Sequence, residues 1–411
     1  MMLPPLARRL AVTAAAALAL TTLAGTPAYA AGDVLAPDAD LWTNPSSTTI
    51  EAAAALDGDA RSDALLLGSF PSATWINGGT PVEAKRDVKR VVSAAHAADA
   101  VPVLVAYNLP FRDCAQYSAG GATSLAEYTA WVDGFAKGIG NKDAVVILEP
   151  DGLGIIPWYT TINGQLEWCQ PAEADAATAA SERFSMLNHA VDVFAALPNT
   201  AVYLDGTHSA WLGVGDITDR LIKAGVERAD GFFLNVSNYE TTERQQKFGT
   251  WISECIHLDL GSWWQREWCG SQYYPADPAD FATWTLTDAA YDQAFAATGL
   301  SRDPVLQAHF VVDTSRNGVG PWTPAEEYPD PQVWCNPPDR GLGLRPTADT
   351  GVELIDAYLW VKVPGESDGE CFRGTGGPED PARDMIDPPA GQWFVEMADE
   401  LVVNAVPAVT P

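Results

Sequence analysis

The sequence predicts an α/β fold: a distorted, TIM-like (β/α) barrel of about seven parallel strands, with long loops at the rim that carries the active site. Three observations lead there. Apolar, β-branched runs alternate with amphipathic helical stretches. The runs are apolar throughout, as strands buried on both faces must be. Each run also stops at a polar or acidic cluster, and in such barrels the working residues sit at the carboxyl ends of the strands.

In chain order the strands are expected at residues 64–70, 101–107, 144–148, 201–204, 231–236, 305–312 and 354–361. The first is an Ala-Leu-Leu-Leu run closed by Gly68, and the second is a Val-rich run that ends at Tyr107. The third is continuous Ala-Val-Val-Ile-Leu, and the remaining four have the same short apolar character. The clearest helical periodicity lies at 81–100, 124–139, 174–197 and 391–404. No repeat, Ser/Thr/Pro-rich linker or charge block divides the chain, so residues 31–411 are expected to form one domain.

The chain opens with Arg8 and Arg9, an apolar Ala/Leu stretch and a small-x-small site at Ala28-Tyr29-Ala30. This is the pattern of a secretory signal over residues 1–30, cut after Ala30. The apolar stretch is too short to span a membrane, so a soluble, secreted, extracellular monomer is expected. Losing the two arginines takes the formal charge from −30 to −32, which excludes nucleic acid as a partner. A neutral polysaccharide would tolerate that charge. Six cysteines in an exported chain should pair, and many connectivities are open; a local bridge between Cys255 and Cys269 is one plausible element. Cys114, Cys169, Cys335 and Cys371 each follow a motif segment, so bridges among them would tie the loops together.

Directly after the strands come Asp113, Asp151, Asp205, the Asn235–Tyr239 segment, Asp313 with Arg316, and Lys362 with Glu366 and Asp368. A single Asp after a strand is ordinarily a turn or helix cap. Six segments in succession point to a site. Zinc-protease, nucleophile-elbow and phosphate-loop patterns are absent; His96 and His189 look helical, and His257 reads as part of a long loop. Carboxylate chemistry is left, with no cofactor. Glycoside hydrolysis needs one carboxylic acid kept protonated and a second carboxylate. Asp113 and Asp205 could supply the charge that keeps Asp151 protonated. The chain also holds 15 tryptophans, many in expected loops: Trp75, Trp158, Trp211, Trp263, Trp264, Trp268, Trp322 and Trp334. Indole faces stack on pyranose rings, although partial core burial is the commoner fate of any single Trp.

These residues resemble glycoside hydrolase family 6, the inverting cellulases. The run from Val105 through Tyr107, Pro110, Arg112, Asp113 and Cys114 is similar to that family's first signature, and Ile147–Leu153 to its second. Leu204–Trp211, Asn235–Tyr239, Asp313–Gly318, Trp334–Asn336 and Trp360–Gly369 match in the same order, so the resemblance runs from Trp75 to Trp393. It implies Asp151 as general acid, and Asp113 as the group that raises its pKa and helps hold a water chain. Asp205 would add charge near the acid, and Asp368 is the candidate base. Tyr107 would press on the sugar at the point of cleavage. Trp75, Trp211 and Trp334 would be stacking platforms, with His208, Asn238, Lys362 and Glu366 bonding sugar hydroxyls and Arg316 pairing with acids. A serine common in the family falls on Ala119 here, so its water-holding role passes to Ser118 or is absent. The implied disulfides are Cys114–Cys169 and Cys335–Cys371, leaving Cys255–Cys269.

The implied substrates are cellulose and cello-oligosaccharides. Two long segments, 369–391 and the 255–269 insertion, suggest a roofed site that releases cellobiose from non-reducing ends; an endoglucanase of the same family is the alternative. A non-catalytic glucan binder would be expected to lack one of Asp113, Asp151 and Asp368, and all three are present. A metal-dependent hydrolase would need a ligand cluster that the sequence does not offer.

Overall fold

The computed structural model describes residues 34–410; the expected signal segment lies outside them. Among the described residues one parallel sheet runs in chain order through β1 (Thr74–Ile76), β2 (Val103–Ala106), β3 (Ala144–Leu148), β4 (Thr200–Asp205), β5 (Gly231–Leu234), β6 (His309–Asp313) and β7 (Ile355–Leu359). The sheet curls into an open barrel. No ladder joins β7 to β1 among these residues; instead the Ala73 N–H donates to the Trp360 carbonyl at 2.9 Å and the Trp75 indole to the Val361 carbonyl at 2.8 Å. The barrel expected from the sequence is therefore present, with its seam closed by single bonds.

The helices are α1 (Thr48–Ala54), α2 (Gly58–Leu67), α3 (Pro81–Ala97), α4 (Leu125–Ile139), α5 (Ala179–Ala195), α6 (Val214–Ala224), α7 (Thr242–Gly261), α8 (Thr285–Thr298) and α9 (Val395–Val403). Local chemistry sets several of their starts. Thr80 caps α3 in a reciprocal box with Glu83, and Pro81 supplies a ready-made helical φ. Ser124 caps α4 by accepting from the Glu127 N–H. Alternate strand residues then divide two cores. Val105, Ile147, Tyr203, Phe233, Val311 and Ala357 fill the barrel, while Leu104, Val146, Val202, Phe232 and Phe310 face the helices. That double burial is why the strands read as unbroken apolar runs. None of the described helices is long and apolar enough to cross a membrane.

Two expectations fail. Residues 64–70 are not a strand: 64–67 belong to α2, with Ala64 and Leu67 buried at helical spacing and Leu65 exposed. A short apolar run cannot by itself distinguish the two, and the true first strand is only three residues long. His257 is in no loop but in α7, whose buried Phe248, Ile252, Cys255 and Ile256 keep a helical period. Smaller shifts affect 305–312, where residues 304–306 form a 3₁₀ turn ahead of β6, and the ends of α3, α5 and α9.

Gly231 opens β5 between β4 and β6, where a Cβ would lie 2.0 Å from the His309 carbonyl oxygen. Gly231→Ala is expected to lower unfolding stability by about 1–3 kcal/mol or more, read as the midpoint of urea denaturation. An unchanged midpoint would contradict this packing.

Candidate active site

The carboxyl ends of β2 to β5 share an unusual backbone. Phe111, Asp113 and Cys114 after β2, Glu149 and Asp151 after β3, Thr207 after β4, and Asn235 and Ser237 after β5 all have φ between 48° and 70°. Such left-handed conformations cost non-glycine residues about 1–2 kcal/mol each, and they cluster where side chains must be aimed.

Buried carboxylates hold these turns. Glu149 accepts from the Asn108 N–H at 2.9 Å and the Leu109 N–H at 3.1 Å. Asp205 accepts from the Leu153 and Gly154 N–H groups at 3.0 Å each and from that of Thr207 at 2.8 Å. Asp313 accepts from the N–H groups of Ser315 and Lys362 at 2.9 Å each. Arg183 works from the donor side, binding the carbonyls of Gly152, Ile155 and Pro110 at 2.8 to 2.9 Å. Burial pushes Glu149 up to about 7 and Asp205 up to about 6, even against those bonds.

The turns surround a cavity of about 640 Å³. Its lining brings together Asp113, Asp151, Asp368 and Tyr107 with Trp75, Trp211, Trp334, His208, Asn238, Lys362, Glu366 and Ser118. Asp205 is the exception among the expected groups: it lies buried behind Asp151 with its oxygens on backbone N–H groups, so it reaches the cavity only through its charge.

The carboxyls divide electrostatically. Asp151 is raised well above the ordinary carboxylate range, by burial first and then by Asp205, Asp113 and Asp368. Asp113 is raised too, by burial, against a 3.0 Å bond from the Ser118 N–H and the nearby Arg112. Asp368 goes the other way. Burial opposes its charge, but Arg316 at 2.8 Å, Lys362 at 3.3 Å and the Asn336 N–H at 3.0 Å outweigh it and lower its pKa. Tyr239 also donates to Asp368 at 3.3 Å. The side chain of Asn336 fixes this segment: its Oδ1 accepts from the Asp368 N–H at 2.7 Å, while its amide faces Ser367, Gly369 and Asp387.

The other lining groups are fixed as well. Trp75 meets Tyr107 edge-on at 5.3 Å, and the Arg112 guanidinium lies 4.4 Å from the Tyr107 ring centre. Burial lowers His208 to about 4, so its imidazole is neutral at moderate pH. Trp211 packs over Gly154, where a Cβ would come within 2.4 Å of the indole. Lys362 also donates to the Ser367 carbonyl at 3.0 Å, Asn238 donates to the Val236 carbonyl at 3.1 Å, and Glu366 accepts from Thr48. Ser118 is tied in through its backbone.

Of the eight tryptophans expected in loops, Trp75 lies instead in β1, and Trp158, Trp263, Trp264, Trp268 and Trp322 do not line the cavity. Trp168 does, and sequence reading missed it. Its neighbour Cys169 is bridged to Cys114, next to Asp113, which is the signal that could have found it. The other bridges are Cys335–Cys371 and Cys255–Cys269. From the long 369–391 segment only Ala390 and Gly391 line the cavity, and from 255–269 nothing does. A buried group of Cys371, Asp380 and Asp387 is no donor set for a metal, since its sulfur is in a disulfide and Asp380 is paired with Arg373.

A strand-end cavity with several carboxyls and indole walls on a curled parallel sheet is the arrangement of a glycoside hydrolase. The chain belongs to glycosyl hydrolases family 6, whose model matches residues 36–405. It is 33% identical over 403 residues to an endoglucanase 1 of Streptomyces halstedii, covering 96% of this chain and 98% of that one. It is 30% identical to a probable 1,4-β-D-glucan cellobiohydrolase C of Aspergillus terreus, over 82% of this chain and 68% of the relative. Among solved structures, an endoglucanase of Mycobacterium tuberculosis in complex with a thio-linked cello-oligosaccharide matches with a TM-score of 0.65 and 31% identity, over 90% of this chain and 98% of that one.

The charge of Asp113 favours the protonated form of Asp151, the form a general acid requires. Asp113→Asn is therefore expected to move the alkaline limb of kcat/KM to lower pH, in addition to any loss of rate. A limb that stays in place would show that the two carboxyls are not coupled.

Proposed function

We propose that this protein is a secreted cellulase that cleaves β-1,4-glucosidic bonds in cellulose and cello-oligosaccharides with inversion, Asp151 being the general acid. The observation that carries the proposal is the pairing of a proton-retaining Asp151 with a cavity walled by Trp75, Trp211 and Trp334. Sugar rings stack on the indoles, and Lys362, Glu366, Asn238 and neutral His208 meet the hydroxyls. Tyr107, held edge-on by Trp75 and backed by Arg112, presses on the ring at the cleavage point. Asp151 gives its proton to the leaving oxygen as the glycosidic bond breaks, and water attacks from the opposite face. Asp368 is a poor direct base because Arg316, Lys362, Asn336 and Tyr239 already engage its oxygens. The proton of the attacking water therefore leaves through water to Asp113, whose raised affinity suits it to receive one.

Replacing the donor tests this. Asp151→Asn is expected to lower turnover on cellohexaose by about 10²–10⁴-fold with little change in sugar affinity, and the parent enzyme should release α-anomers first in proton NMR. Near-parental turnover, or β-product first, would sink the reading.

For the mode of attack we propose endo cleavage in place of the exo action expected from loop length. Neither long segment roofs the cavity, and the lining residues Gln116, Ala119, Trp168, Ala210, Pro321 and Val333 are exposed. A soluble cellulose derivative should lose most of its viscosity while few reducing ends have formed. Viscosity that persists while cellobiose accumulates would restore the cellobiohydrolase reading.

A further inference from the structure

Three of the five expected loop tryptophans that do not line the catalytic cavity gather in one place. Trp263, Trp264 and Trp268 lie with ring centres 5.7–6.1 Å apart where the chain leaves α7. Trp263 is 59% and Trp268 51% exposed, far more than buried Trp131, Trp251, Trp284 and Trp360. Beside them opens a second cavity of about 330 Å³, lined by Trp264, Trp268, Tyr291, Gln293 and alanines of α8. Its volume is within the range of about 300–1,000 Å³ usual for small-molecule sites.

Charge narrows the ligand. In a chain of formal charge −30, no residue lining this cavity is charged, so the surface favours a neutral ligand with apolar faces. Pyranose rings have that character. The patch is also held rigid. The Cys255–Cys269 bridge and the Arg266 pairs with Asp259 and Asp219 fix the turn that carries it, so little ordering is needed on binding.

Continuity with the cleft supplies the occupant. From Trp268 the chain runs to Tyr273, whose hydroxyl donates to the carbonyl of Trp211, a wall of the catalytic cavity, at 2.9 Å. Gln272 donates to the Leu212 carbonyl at 3.0 Å, and Tyr274, two residues further along the chain, is 80% exposed. The 268–274 segment thus joins the cleft wall to the second cavity through these two hydrogen bonds. We propose that the Trp263–Trp264–Trp268 cluster is a second binding site for a neutral β-1,4-glucan chain, holding polymer beyond the reach of the cleft. The proposal rests on the glucan reading of the catalytic site.

The test uses the full chain carrying Asp151→Asn, so that substrate persists, with and without Trp263→Ala and Trp268→Ala. Adsorption isotherms on swollen amorphous cellulose should show affinity reduced on the order of tenfold by the double substitution. The pair Trp263→Tyr and Trp268→Tyr, which keeps ring faces, should retain most of it. With Asp151 intact, the alanine pair should leave turnover of cellotetraose unchanged. Isotherms that coincide would overturn the second site. So would a concentration-dependent dimer abolished by the alanine pair, which would assign the patch to a second copy of the chain. If the parent itself fails to cleave cellotetraose, the glucan reading fails separately.

Discussion

Carboxylates buried at the strand ends and bound to backbone N–H groups are the constraint on which the active rim depends. Glu149, Asp205 and Asp313 project inward from or just beyond β3, β4 and β6, and each gathers the donors of a turn that would otherwise relax. Left without a partner, each of these buried N–H groups would cost about 1–3 kcal/mol, against about 1–2 kcal/mol for a left-handed non-glycine residue. Those turns aim Asp113 and Asp151 into the cavity.

The same groups set the electrostatics. Asp205 is both a clamp on residues 153 and 154 and a charge beside Asp151, so a residue that holds the turn also tunes a carboxyl of the cavity. Cations decide the rest. Asp368 has Arg316 and Lys362 against it and is lowered, whereas Asp151 is raised by burial first and then by the carboxylates among its neighbours. Neighbours of opposite sign thus push carboxyls of one cavity in opposite directions.

Long loops here are used for bracing. Residues 369–391 are folded back through the Cys335–Cys371 bridge, the Arg373–Asp380 pair and the three-way grip of Asn336, and only their last two residues line the cavity. Length alone suggests a roof. What the segment does instead is grip Asn336 through Gly369, Arg383 and Asp387, and Asn336, two residues from Trp334, binds Asp368 in turn.

The sequence by itself determined the parallel barrel, because strands buried on both faces must be apolar throughout, and it pointed to the candidate carboxyls through the signatures that follow those strands. Asp113, Asp151 and Asp368 were legible in this way, and Trp75, Trp211 and Trp334 through the resemblance; all six line the cavity. Residues 64–70 were not, since three leucines in a row suit a helix as well as a strand. Trp168 was not, since only the Cys114–Cys169 bridge brings it to the rim. Only the tertiary structure decided that Asp205 stands behind the cavity, that Asp368 is committed to Arg316, and that Trp263 and Trp268 face solvent outside the catalytic cavity. Each of these depends on distances between segments far apart in the chain. A pKa or an exposure is a property of such neighbours, and local residue order carries no record of them.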